Sequence, residues 1–165
     1  MKNKKFSREE LKSRVFSALL TAAPLSVMLL SAIYNLAYDS FGYDLSSGFP
    51  VLLSALTVTA LIAGAVLSAI LKKRFPAVFF ALLFLMCVIC YTAFLMNGTT
   101  DIYADGFFEA VMLILCVPVW SYMPLAAAVA EPTAVPAMII TVIIALLNVG
   151  VVLWLTLSGK KNNNG

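Results

Sequence analysis

The chain has 165 residues, of which 62% are hydrophobic and 12% charged, with a net charge of +3 and a mean hydropathy of +1.00. Soluble domains carry roughly 45–50% apolar and about 25% charged residues, so this composition excludes a soluble globular fold and leaves a polytopic membrane protein. The positive charge is not a nucleic-acid signal, because nine of the eleven Lys and Arg residues lie before position 15 or at Lys72-Lys73-Arg74, where membrane topology places them.

Met1 to Arg14 reads as a basic cytoplasmic leading helix. Ser7-Arg8-Glu9-Glu10 fits a capping box flanked by Phe6 and Leu11 as a hydrophobic staple. Val15 to Ala37 is the first span. Its apolar stretch is too long for a signal-peptide core and no convincing cleavage site follows, so it reads as retained. Pro24 near its middle removes a backbone donor and predicts a kink.

Tyr38 to Gly48 is an outer loop with Asp39 and Asp44 and no basic residue. Pro50 opens the second span, 50–71, as a first-turn proline. This span carries two rows of small residues at spacing four: Ala60, Gly64 and Ser68, and Ala55, Thr59 and Ala63. Such rows allow close backbone approach between helices, which makes this helix the expected centre of the bundle.

Lys72-Lys73-Arg74-Phe75-Pro76 is the turn around which the topology is counted. It separates two apolar runs, each long enough to cross a bilayer core, for which about 20 helical residues suffice. Basic residues are retained on the cytoplasmic side, so this turn and the N-terminus are placed there. The third span is 76–96. A second acidic outer loop, Asn97 to Gly106, contains Asp101 and Asp105. Its Asn97-Gly98-Thr99 is a glycosylation sequon without supporting context.

Phe107 to Leu157 is one apolar region interrupted by Glu131-Pro132 and Pro136. It is too long for one span and fits two, 107–128 and 136–157. The fold class expected is therefore an all-α transmembrane helical bundle of five spans in a single domain, 15–157, with the N-terminus cytoplasmic and a polar, disordered tail at 158–165. Five spans put Lys160 and Lys161 outside, against the positive-inside trend. The alternative is four spans plus a re-entrant segment over 107–130, which returns the tail inside.

Little in the sequence carries chemistry. Histidine is absent, which removes the commonest general base and metal ligand. Cys87-Val88-Ile89-Cys90 has redox spacing but lies in an apolar run, as does Cys116, and all three read as packing residues. There is no phosphate loop, triad or metal motif. No acidic or basic side chain lies near the centre of a span, which argues against proton relays and ion-coupled transport. The expectation is a non-enzyme without cofactor or metal.

The most unusual stretch is Cys116 to Pro124. Pro118 and Pro124 free backbone carbonyls from their helical donors, and Trp120, Ser121 and Tyr122 lie between them. Similar depth makes Asn148 and Ser26 the expected companions of this segment, as ligand contacts or as polar packing. Two functions follow. The first is an accessory or interaction subunit of a bacterial inner (plasma) membrane, whose partners are the lipid bilayer and another membrane protein or a second copy, with no nucleic acid. The second is a small transporter, or the membrane component of one, with a solute site at the broken fourth span.

Overall fold

A computed structural model describes residues 8–40, 48–96, 114–130 and 134–161. Ser7 of the expected capping box, most of both acidic loops, residues 107–113 of the expected fourth span, Glu131-Pro132 and the last four tail residues lie outside the described residues. The described chain is all helical, with five helices: α1 (Arg8–Ser40), α2 (Gly48–Ile70), α3 (Arg74–Met96), α4 (Val117–Val129) and α5 (Ala134–Lys161). Four of them, α1, α2, α3 and α5, are long and apolar enough to cross a membrane, whereas α4 has 13 residues.

Polarity is arranged inside out. Ser31, Asn35, Ser54, Thr57, Ser68, Ser121, Thr141 and Asn148 are buried, while Ile33, Ile70, Ile114 and Leu157 are each about two-thirds exposed. A water-soluble bundle would do the opposite, because burial of apolar surface drives its folding. In hydrocarbon, polar side chains gain by facing one another and large apolar side chains lose nothing at the lipid face. Together with the four long apolar helices, this pattern makes the chain a membrane protein. The buried apolar core includes Met28, Leu61, Phe80, Phe84, Tyr122 and Ile144, with the rings of Phe80 and Phe84 tilted at 31° and their centroids 6.2 Å apart.

Helix α2 runs between α1 and α5, which do not touch each other. Its Ala60/Gly64/Ser68 row faces inward, and Gly64 meets α1 at Pro24. A Cβ on Gly64 would lie 3.1 Å from Pro24 Cγ and 3.8 Å from the Leu20 carbonyl oxygen. That carbonyl is the one Pro24 releases from its helical donor, so the closest backbone approach falls at the proline. Ser68 donates to the Gly64 carbonyl at 2.7 Å and closes its own polarity within the helix. The second row has the opposite orientation, with Thr59 and Ala63 exposed and Ala55 half-buried.

The α2–α3 turn is a Schellman-type stop. The Lys73 amide donates to the Ser68 carbonyl at 2.8 Å and the Lys72 amide to Ala69 at 3.1 Å. Lys72 takes the left-handed conformation at φ 53°. Glycine usually fills that position, and another residue there costs roughly 1–2 kcal/mol. The two residues that follow tie the bundle together at this end. Lys73 Nζ donates to Ser13 Oγ of α1 at 2.5 Å. Arg74 Nη2 donates to the Leu155 carbonyl of α5 at 2.9 Å, passing over Gly159, where a Cβ would stand only 2.6 Å from that nitrogen.

The beginning of α1, the basic turn and the end of α5 therefore share one end of the molecule. A five-span, up-and-down bundle would set Leu155 and Gly159 at the opposite end. The described helix of the fourth segment, α4, has 13 residues and extends about 20 Å, less than a bilayer core.

Replacing Gly64 by Leu should drive a side chain into the rigid Pro24 ring. We expect a loss of about 1–3 kcal/mol, measured as a lower thermal midpoint in detergent, with Ala63→Leu on the adjacent exposed face as a neutral control.

Candidate functional site

The polar side chains of the bundle interior gather on α4, and the local reason is its pair of prolines. Pro118 falls in the first turn of the helix, where a missing N–H has no partner to lose. It therefore opens α4 instead of breaking it, which differs from the expected pair of mid-helix breaks. Cys116 precedes it as a non-helical turn with no side-chain cap. Cys116 and Cys87 of α3 are both buried free thiols.

Pro124 is the proline inside the helix. It leaves the Trp120 carbonyl without its amide donor, and in a water-free interior that oxygen needs another. Asn35 of α1 supplies it: Nδ2 lies 2.9 Å from the Trp120 oxygen. The same nitrogen is 3.3 Å from the Ser121 oxygen, 3.3 Å from Ser31 Oγ and 3.4 Å from Ser54 Oγ of α2. Ser31 Oγ donates to the Ser121 carbonyl at 2.5 Å, and Ser121 Oγ turns back to the Pro118 carbonyl at 2.7 Å. One amide thus joins three helices, with Asn35 2% exposed and Ser31, Ser54 and Ser121 wholly buried.

The opposite side of α4 is tied to α5. Thr141 Oγ1 donates to the Ala137 carbonyl at 2.9 Å, which leaves the Tyr122 hydroxyl to donate to Thr141. Asn148 lies two turns further along α5, where Nδ2 donates to its own helix at the Ile144 carbonyl at 2.9 Å. Two acceptors are left over: Asn35 Oδ1 and Asn148 Oδ1 are buried and have no hydrogen-bond partner among the described residues.

Of the residues singled out in the sequence, Pro118, Trp120, Ser121 and Tyr122 are buried together on α4, and Asn148 is buried on α5. Ser26 is not with them. It sits on the exposed face of α1 and donates to the Ala22 carbonyl at 2.7 Å. Ser31 and Asn35, further along α1, occupy the place expected for it. At roughly 1.5 Å per residue, Ser54 stands about 27 Å along α2 from Lys72, so this cluster lies toward the end away from the basic turn.

Four members were not anticipated: Ser31, Asn35, Ser54 and Thr141. A signal was available, since Ser31 and Asn35 are four apart and so share a helix face, and an amide within an apolar span needs a partner. Among the described residues no group of three or more His, Cys, Asp or Glu side chains could hold a metal ion. The donor set is neutral throughout, so the cluster suits hydrogen bonding and not proton abstraction. No protein-family model matches this chain, and neither a curated protein nor a solved structure does.

Substituting Asn35 by Leu removes the donor from the Trp120 carbonyl in a dry interior. We expect a loss of about 1–3 kcal/mol, read as a lower thermal midpoint. Tyr122→Phe should be milder, on the order of 1 kcal/mol, because Thr141 retains its bond to Ala137.

Proposed function

We propose that this is a non-catalytic, multi-pass plasma-membrane protein that binds and passes a small uncharged polar solute at α4. One observation carries the reading. Asn35, buried, holds the freed carbonyl of a proline-broken helix while its own Oδ1 has no partner among the described residues. Broken helices with released backbone groups are the usual material of solute sites in membrane proteins. The leftover acceptors on Asn35 and Asn148 favour a solute that brings N–H or O–H donors. The neutral donor set favours passive passage over coupling to protons or ions.

The topology that goes with this reading is the alternative of four spans, α1, α2, α3 and α5, with a re-entrant segment over 107–130. It places the N-terminus, the Lys72–Arg74 turn and the C-terminal lysines in the cytoplasm of a bacterial cell. All basic residues then lie on one side, as the positive-inside trend requires. The shared end of Ser13, Lys73, Arg74 and Leu155 supports it.

A second reading, an accessory subunit acting through a helix face, rests on a different observation. The Ala55/Thr59/Ala63 row of α2 faces outward, where a partner helix could approach closely. Purification with native partners separates the two: Ala63→Leu would dissolve a hetero-complex, whereas it leaves a solute site intact.

Two measurements test the first reading. In proteoliposomes, stopped-flow light scattering should show entry of glycerol or urea faster than in protein-free vesicles, with the increment lost in Asn35→Leu and reduced in Trp120→Ala. Rates equal to protein-free vesicles across uncharged polyols and amides would refute it. For topology, single cysteines introduced at 44, 101 and 161 in a Cys-free background should label from outside intact cells at 44 and 101 only.

A further inference from the structure

The basic end of the bundle has a composition that solute passage does not use. Arg8, Lys12 and Arg14 of α1 are exposed there, with Lys72 and Arg74 of the turn, and Lys160 and Lys161 close α5 at the same end. Acidic residues at this end are Glu9 and Glu10, and Glu9 pairs with Lys12 at 3.6 Å. The turn divides its three cations by task. Lys73 goes to Ser13 and Arg74 to the Leu155 carbonyl, whereas the Lys72 side chain is exposed and makes no hydrogen bond or ion pair with another described residue.

Lys72 also occupies a backbone position at φ 53° that suits glycine. A charged side chain is thus presented at a point where the fold by itself is better served by none. The same end also carries a collar of exposed apolar side chains: Leu11, Val15, Ile70 and Phe75, each more than half exposed.

We propose that this end is a binding surface for anionic phospholipid, with Lys72 taking the headgroup phosphate. Charge and collar together select the occupant. A soluble polyanion would meet the charge and leave the collar uncovered. A zwitterionic lipid would cover the collar and carry no net charge to balance the basic residues. A phospholipid of net negative charge does both, its acyl chains lying along α1 and α3 and its headgroup level with the turn.

The test uses the purified full-length chain in phosphatidylcholine vesicles and in vesicles of phosphatidylcholine with phosphatidylglycerol, and compares thermal midpoints at low and high salt. Phosphatidylglycerol should raise the midpoint of the wild type, less so at high salt. Lys72→Gly should shrink that rise, with lipid affinity weakened about fivefold per charge removed, and Lys72→Gly with Lys73→Gln should shrink it further. Lys72→Arg should retain it. In phosphatidylcholine alone, Lys72→Gly should melt at or above the wild-type temperature, because the left-handed conformation is no longer strained. An equal phosphatidylglycerol effect in wild type and Lys72→Gly would overturn the proposal. So would reproduction of the effect by inorganic phosphate, or a lower midpoint of Lys72→Gly in phosphatidylcholine, which would make the lysine a packing residue.

Discussion

A carbonyl without an amide partner is tolerable in water and costly in hydrocarbon. Pro124 creates one, at Trp120, and the arrangement of the bundle interior follows from its relief. Asn35 must stand beside α4 to reach it, so α1 and α4 are held in contact. Ser31, one turn earlier on the same face of α1, then reaches the next carbonyl, and Ser54 brings α2 to the same amide. Tyr122, facing the other way, carries the connection to α5 through Thr141. A short helix that could not hold its place by apolar contact alone is thereby fixed to three neighbours by directional bonds.

The rest of the bundle is assembled by close approach, because apolar surfaces gain little from one another when the solvent is itself apolar. Gly64 against Pro24 is the clearest instance. The proline ring projects from α1 and the missing side chain on α2 receives it, so the two irregular residues fit where two regular ones would collide. Thr21, Ser68 and Thr57 meet their polar needs by donating to a carbonyl four residues back in their own helices, and the amide nitrogen of Asn148 does the same. Such residues add little to contacts between helices, which leaves the α4 cluster as the polar link across the interior.

Much of the architecture could be read from composition, since long apolar runs bounded by basic or acidic punctuation permit few arrangements in a bilayer. The break at Cys116 to Pro124 was visible for the same reason: proline chemistry is local. Its partners were not visible. Which faces of α1 and α5 turn toward α4 depends on helix rotation and on where along its neighbours α4 sits, and neither is encoded in spacing. Ser26 and Asn35 are both polar positions on α1, separated by nine places in the chain, and burial distinguishes them where depth along the span did not. The return of α5 to the basic end was one of two arrangements left open, because the apolar content of 107–157 is compatible with two crossings whether or not the first is complete.

The clasp at Arg74 bears on the order in which the protein is made. Helix α3 leaves the ribosome well before α5, yet α5 is its most extensive neighbour. Until α5 arrives, the face of α3 bearing Phe80 and Phe84 is covered only in part by α1, α2 and α4. Arg74 likewise has no Leu155 carbonyl to hold until the last helix has been delivered and folded back to the side on which synthesis began. The guanidinium is thus a latch that closes only after translation has reached α5, and a ribosome stalled before that point would leave an inserted but unlatched intermediate exposed to quality-control proteolysis.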